Sequence, residues 1–440
     1  MGSEMCIRDR LNFLSKSPTA FHAVENYRQI LNADGFKELL ESEHWDIVPG
    51  GKYYVTRNNT SILAFKVGTK LDNYSFNIVT SHTDSPTFKV KENAEIEVKN
   101  KYTQLNTEGY GGMLCATWLD RPLSIAGRVL VSEGNSIVTK LLNIDRDLLM
   151  IPNVAIHMNR AANDGFKYNL QVDMLPLLSG GDDRQKDFKQ IIADELGVKK
   201  EDILGHDLYL YNRMAPSIWG ANEEFISAGH LDDLQCGFAS LKALLAGYND
   251  ESIDIMACFD NEEVGSGTKQ GADSTLLRDT LIRINNALGK TEEDYHRALA
   301  SSFMLSADNA HAVHPNHPEH TDVTNCTYMN EGVVVKSHAG QKYTSDGVSM
   351  AVVKSLASGA DVPLQYFANR SDKAGGSTLG NIAMAQASMN AVDIGLPQLA
   401  MHSSYETAGI KDTYYAISLM KALFDSHIQE TSTHSLEIKR

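Results

Sequence analysis

The stretch Ser252–Gly267, SIDIMACFDNEEVGSG, decides the fold. Ile253–Phe259 is apolar except for Asp254, a run suited to a central strand buried on both faces. It ends in Asp260-Asn261-Glu262-Glu263. Adjacent carboxylates repel unless a proton or a cation intervenes. Their side chains diverge, so one could bind a cation while the other faces a substrate water as general base. Val264–Gly267 adds a tight backbone beside them. In open α/β sheets ligands bind beyond the C-terminal ends of the strands. A buried strand closing on two glutamates therefore marks a sheet and a site together, although a solvated loop is the plain alternative for this segment alone.

The pattern repeats outward from this point. Strands are predicted at Ile62–Val67 and Phe76–Thr80, the second running into Ser81-His82-Thr83-Asp84. Phe303–Ser306 is followed closely by Asp308, and the apolar Leu399-Ala400-Met401 by His402. Leu234, Phe238, Leu241 and Leu245 share one face of a predicted helix that opens on Gly229-His230-Leu231-Asp232-Asp233. Phe21, Val24, Tyr27, Ile30 and Leu31 define another, with Ser17 as cap and Pro18 at its first position. Further helices are predicted over Thr275–Asn285, Ser377–Ala387 and Tyr414–Ile428.

From about residue 91 the texture changes. Ala94–Val98, Arg128–Val131, Ser136–Leu142 and His206–Tyr211 are short and β-like, and Gly180–Lys200 is a polar stretch. Strand–loop–helix alternation on both sides predicts an α/β fold: one domain with a mixed central sheet flanked by helices, split in sequence by a β-rich insertion. The expected division is 10–91 and 216–440 for the split domain and 92–215 for the insertion. Residues 1–9, polar and patternless with a second Met at 5, read as a cloning or assembly scar and are set aside from fold reasoning.

Composition narrows the function. The 440 residues are 42% hydrophobic and 22% charged, which excludes general disorder and coiled coil. Forty Lys+Arg against 56 Asp+Glu give a net charge of −16, and no basic patch appears, so neither nucleic acid nor a membrane is an expected partner. No apolar run approaches the roughly 18 residues of a span, and the N-terminus has no apolar signal core. Five widely spaced cysteines without a CxxC read as reduced thiols of a cytoplasmic protein, Cys236 and Cys258 in apolar surroundings.

Five distant segments thus place His, Asp or Glu at predicted strand ends or helix starts. Each has a bland reading by itself: a solvated strand end, a helix cap, a surface histidine. Together they match the requirements of a two-metal site. His82 and His402 serve as terminal ligands, Asp232 as bridge, Glu263 and Asp308 as further carboxylates, and Glu262 as the free general base. Oxygen and nitrogen donors without thiolate suit two divalent ions per subunit, zinc first, with cobalt or manganese as alternatives. Such a pair clamps the attacking and leaving oxygens and generates hydroxide near neutral pH. Asp84, two residues after His82, could orient its second ring nitrogen. Near Asp308, the histidines His311, His314 and His317 invite ligand or substrate roles.

These residues lie in segments that resemble a known family. Ser81–Lys91 (SHTDSPTFKVK), Glu108–Arg121 (EGYGGMLCATWLDR), Gly229–Leu234, Phe259–Gly271, Ser306–Asn316, Gly332–Tyr343, Gly376–Gly380 and Pro397–His402 resemble, in order, the aspartyl aminopeptidase family of dinuclear zinc metallopeptidases. The resemblance implies that His82 and Asp308 bind one zinc, Glu263 and His402 the other, and that Asp232 bridges them. It makes Glu262 the base and Asp84 the orienter of His82. It gives His311, Lys336 and Tyr343 substrate contacts, and implies that His157 is donated across a subunit boundary. It further implies a dodecamer built from dimers, active sites facing an internal chamber, and the insertion as dimerisation domain. His230, Met113, Cys115-Ala116 and Ser404-Tyr405 depart from the family pattern. None is a proposed ligand or the base, so the departures bear on specificity and subunit contacts.

The expected activity is hydrolysis of the N-terminal residue of peptides, with Lys336 favouring Asp and Glu. The alternatives are an aminopeptidase of broad or neutral specificity, or a two-metal carboxypeptidase or deacylase, which would want a cationic group, commonly Arg, for a substrate carboxylate. A non-enzymatic assembly or cargo protein on this fold would be favoured by loss of a ligand or of Glu262, and all are present.

Overall fold

In the computed structural model, which describes residues 3–181 and 187–440, the strand Ser252–Phe259 is buried along its length inside a nine-stranded sheet. Ile253, Ile255, Ala257 and Phe259 face one apolar layer and Met256 and Cys258 the other, the period of two that a strand imposes. From edge to edge the sheet runs Lys37–Leu39, Lys52–Arg57, Ser61–Val67, Ser252–Phe259, Ser75–His82, Phe303–Ala307, Asn390–Gly395, Val333–Lys336 and Leu364–Phe367. Four central strands, from Ser252–Phe259 to Asn390–Gly395, are parallel. Ser61–Val67 and Val333–Lys336 flank them in antiparallel pairing, so the sheet is mixed. Helices Ala20–Ala33, Leu231–Ala246, Gly347–Gly359 and Asp412–Phe424 pack on one face, and Leu276–Ala287, Glu292–Ala300 and Leu379–Gln386 on the other. The four parallel strands therefore end on a common edge.

Two smaller sheets shape that edge. A six-stranded antiparallel sheet runs Ser136–Asn143, Leu123–Glu133, Ile203–Asn212, Thr87–Val98, Tyr102–Tyr110 and Leu177–Gly180. It has its own core around Phe88, Leu105, Ile125 and Leu208. A five-stranded sheet, Ser217–Trp219, Phe225–Ala228, Glu406–Gly409, Pro397–Leu399 and Ala310–His311, holds His311 in its edge strand and His402 in the loop between two of its strands.

Local expectations differ from the structure at four places. Thr19, not Ser17, caps the helix Ala20–Ala33, accepting the His22 N–H, while the Ser17 hydroxyl turns back to donate to Phe13 O. Ser3–Ser15 is helical, Cys6 is buried and Asp9 pairs with Lys242, so the segment set aside from fold reasoning takes part in packing; residues 1–2 lie outside the described set. The polar stretch Gly180–Lys200 contains a helix, Phe188–Leu196, that buries Phe188, Ile192 and Ala193; residues 182–186 lie outside the described set. The last helix stops at Phe424, and His427–Ser432 is a strand. Among the described residues no helix is long and apolar enough to cross a membrane.

Candidate active site

The structure brings His82, Asp84, Asp232, Glu262, Glu263, Asp308 and His402 together on the common edge. His82 ends one parallel strand, Glu262 and Glu263 follow the next, and Asp308 follows a third. Asp232 lies in the first turn of the helix Leu231–Ala246. Its two oxygens face different histidines: Oδ1 is 3.3 Å from His82 Nε2 and Oδ2 is 3.3 Å from His402 Nε2. Asp308 Oδ1 is 3.6 Å from His82 Nε2, and Glu263 Oε2 is 3.2 Å from His402 Nε2. The two adjacent glutamates diverge as their sequence suggests. Both line the cavity, but the Glu263 side chain is 4% exposed and lies against His402, whereas that of Glu262 is 16% exposed and 3.9 Å from His82 Nε2.

A ring of buried polar groups holds these side chains. His82 Nδ1 is 3.1 Å from the backbone carbonyl of Asp84 and 3.3 Å from its carboxylate. The Asp84 carboxylate also accepts the backbone N–H groups of Glu262 and Glu263, each at 3.1 Å, and the Tyr110 hydroxyl at 2.7 Å. Tyr110 in turn accepts from Asn261. One aspartate thus ties together two of the converging strand ends. On the other side His402 Nδ1 lies 2.7 Å from Gly112 O, which makes Nδ1 the hydrogen-bond donor and turns Nε2, the nitrogen that can ligate a cation, towards the carboxylates. A Cβ on Gly111, which has φ +74°, would meet Glu263 Cβ at 3.1 Å, so the glycine run is pressed against the site.

Glu406 and Tyr110 have no signal of their own in the sequence, and Asp233 stands there only as the second acid of the Asp232-Asp233 segment, with no separate role. Buried Glu406 accepts the backbone N–H of Asp232 at 3.0 Å through one oxygen and that of His402 at 2.8 Å through the other. His402 has φ +68°, a region that costs a non-glycine residue about 1–3 kcal/mol, and the Glu406 contact helps hold it there. Asp233 is fully buried and accepts the His82 N–H at 3.2 Å. Glu406 belongs to a short strand with no spacing signature. Asp233 could have been suspected, because a second acid directly follows the candidate bridge.

A cavity of about 400 Å³ opens over the cluster. Glu262, His311, Lys336 and Tyr343 line it, with Phe367 and Met401. Lys336 is buried, and its ammonium donates to Asn309 O at 2.8 Å. Among the described residues no carboxylate comes within ion-pair distance of it. Burial alone would lower its pKa; Asp308, Tyr343 and Asp393 outweigh burial and raise it. His157 does not line this cavity and is exposed in the loop after Ile151; His314 and His317 also stand apart from it. Of the departures, Ser404 and Tyr405 bind Thr117 and Ala215 and brace the His402 loop. Met113 and Cys115 pack on the six-stranded sheet's core, and burial pushes His230 down to about 4.

Charge in the cluster is out of balance. Burial resists ionisation of Asp232, but His402 and His82 outweigh it and hold its carboxyl well below the usual range. Burial and the Asp308 charge push Glu262 up to about 8, and burial with Asp232 raises Glu263 well above the carboxylate range. Burial disfavours charged His402, yet Asp232 lifts it to about 9. Acids crowded around two imidazoles need positive charge, supplied by protons or cations. His82 Nε2, Asp232 Oδ1 and Glu263 Oε1 are buried without a hydrogen bond, an uncommon condition for polar atoms. Two donors on one tetrahedral ion, with bonds of about 2.0–2.1 Å, sit about 3.3–3.4 Å apart. The four histidine–carboxylate separations, 3.2 to 3.6 Å, match that spacing, so the donor set fits divalent cations of the zinc type.

A mixed α/β sheet carrying such a cluster at its strand ends defines a metallohydrolase. Residues 13–424 match the family model described as aminopeptidase I zinc metalloprotease (M18), and the chain belongs to that M18 family of zinc metalloaminopeptidases, which remove N-terminal residues from peptides. It is 47% identical to a probable M18 family aminopeptidase 2 of Clostridium novyi over 421 residues, 94% of this chain and 97% of that one. It is 48% identical to the protein of the same description in Clostridium acetobutylicum over 411 residues, 92% of this chain and 95% of that one. Among solved structures, Ape4 in its complex with Nbr1 superposes with a TM-score of 0.93 at 35% identity, covering 96% of this chain and 86% of that one. A dodecameric mApe1 from S. cerevisiae gives 0.83 at 28% identity, covering 96% of each.

Proposed function

We propose that this M18 enzyme is of the aspartyl aminopeptidase type and works with two divalent ions. His82, Asp308 and one oxygen of Asp232 would hold one ion, and His402, Glu263 and the other oxygen of Asp232 the second. The carrying observation is that Asp232 turns one oxygen to each histidine at the same 3.3 Å. When bound, the ion pair polarises the scissile carbonyl and acidifies the attacking water. Glu262 takes the proton of that water and delivers it to the leaving amine. Asp84 keeps the Glu262–Glu263 backbone and His82 in register, so base and ligands stay aligned through the cycle. Lys336 supports a preference for Asp and Glu, because a buried cation lining the cavity without a carboxylate partner favours an anionic side chain. His311 and Tyr343 contact substrate.

The exposed loop carrying His157 supports its donation to a second subunit in a dimer, with the six-stranded sheet as dimerisation domain of residues 92–215 and dimers assembling into a dodecamer. Five unpaired cysteines support a cytoplasmic setting. The function is tested by hydrolysis of a panel of N-terminal Asp, Glu, Ala, Leu and Lys peptides, with chelator and with zinc, cobalt or manganese added back. Chelator-sensitive cleavage led by Asp and Glu is expected, and Lys336→Met should cut kcat/KM on those two by at least about tenfold while sparing Ala, an anion losing its partner being worth about 1.5–3 kcal/mol. Cleavage led by Ala or Leu would discard the Lys336 assignment. Cleavage of N-acylated amino acids instead of free-amine peptides would favour a deacylase.

A further inference from the structure

Away from the catalytic cluster, the segment His314-Pro315-Asn316-His317-Pro318-Glu319-His320 turns over itself in a way the peptidase reaction does not use. Glu319 Oε1 lies between two imidazoles, 3.1 Å from His317 Nδ1 and 4.0 Å from His320 Nε2. The rings of His317 and His320 lie tilted against each other with centroids 5.3 Å apart, and those of His314 and His317 likewise at 5.5 Å. The backbone beneath is fixed. His317 N–H donates to His314 O, His320 N–H to His317 O and Thr321 N–H to Pro318 O, and two prolines limit φ. Arg370 donates to Glu319 O, with its own charge matched by Asp372.

We propose that His317, Glu319 and His320 form a surface site for one divalent transition-metal ion of the zinc type, separate from the catalytic ions. Three observations carry this. The donor atoms, two imidazole nitrogens and a carboxylate oxygen, are a set that zinc, cobalt and nickel favour. They lie within 4.8 Å of one another. The turn supplies them from a braced backbone, so that closing the 4.0 Å separation to the spacing of neighbouring ligands on one ion is left to the side chains. All three side chains are exposed, which leaves the remaining coordination positions to water. The site stands beside a cavity of about 270 Å³, lined by His314 and His320, that shares His311, Phe367 and Met401 with the active-site cavity. Lys373 also lines that cavity and opposes a cation, so the site is weaker than the buried cluster.

The test uses the full chain loaded with zinc at the catalytic cluster and freed of excess ion. Zinc alone is titrated into wild type and Glu319→Gln/His320→Ala, with heat of binding and ions per chain both measured. Wild type is expected to take up one more ion per chain than the variant, while turnover of a peptide substrate by the zinc-loaded enzymes is equal. With cobalt as probe, wild type alone gains the additional visible absorption of a nitrogen- and oxygen-ligated ion. Equal uptake by the two proteins would overturn the proposal, whatever the titration finds at the catalytic cluster.

Discussion

At the level of single residues, the site divides into groups visible in the sequence and groups that are not. His82, Glu262, Glu263, Asp308 and His402 were legible as candidates because each closely follows an apolar run, where burial leaves little reason for charge except function; Asp232, an acid at a helix start that reads as a cap by itself, became a candidate only beside them. Glu406 was not legible. Its partner Asp232 lies 174 residues away, and a carboxylate gripping two backbone N–H groups leaves no pattern in one chain segment. The two kinds predict different losses. Glu262→Gln should lower kcat by about 10²–10⁴-fold, the usual scale of a general base, with ions per chain at the wild-type level. Full turnover by that variant would remove Glu262 from the mechanism. Glu406→Gln keeps size but presents an amide N–H₂ to one of two backbone donors. Groups behind metal ligands commonly contribute 10–100-fold to affinity, so a loss of about that size is expected in chelator competition. An unchanged affinity would mean that the strand pairing alone positions Asp232 and His402.

At the level of elements, the strand Ser252–Phe259 was legible from its apolar run, and the structure gives Asp254 a consequence. Its carboxyl is almost fully buried, and burial raises its pKa well above the usual range despite the Asn77 hydrogen bond and the charge of Lys66. A carboxyl with a raised folded-state pKa contributes its full stability below the unfolded pKa of about 3.9 and loses it as pH climbs through the folded value. Asp254→Asn keeps an acceptor for Asn77 and cannot ionise. With chelator present throughout, the variant should melt close to wild type near pH 4 and above it at pH 8, a gap that widens with pH. Parallel melting temperatures at both pH values would show that Asp254 ionises at no cost. Element ends were less legible than element centres. The apolar pattern continues past Phe424 because Ile428 is buried in the same core, though in a strand, so burial alone did not mark where helical geometry stops.

At the level of the whole molecule, the change of texture near residue 91 announced a separate β sheet, but nothing in the sequence foretold the exposed apolar side chains of the loop between its strands Ser136–Asn143 and Leu177–Gly180. Val154, Ile156, Met158, Phe166, Leu170 and Val172, in the same loop as His157, are all exposed, with Met158 at 79% and Val172 at 71%. Exposed apolar side chains concentrated in one loop suit an interaction surface, and the histidine of that loop stands apart from the chain's own cavity. If a second copy covers the loop and receives His157, assembly and turnover are linked through a residue that binds no ion. Placing charge on the loop, as in Met158→Asp with Val172→Asp, should then dissociate the dimer and abolish turnover while the His82–His402 cluster keeps its ions. His157→Ala should abolish turnover within an intact assembly. Mass in solution, ions per chain and kcat together separate these cases. A dissociated, metal-loaded protein with undiminished kcat would show that each subunit is complete in itself and that the loop serves architecture alone.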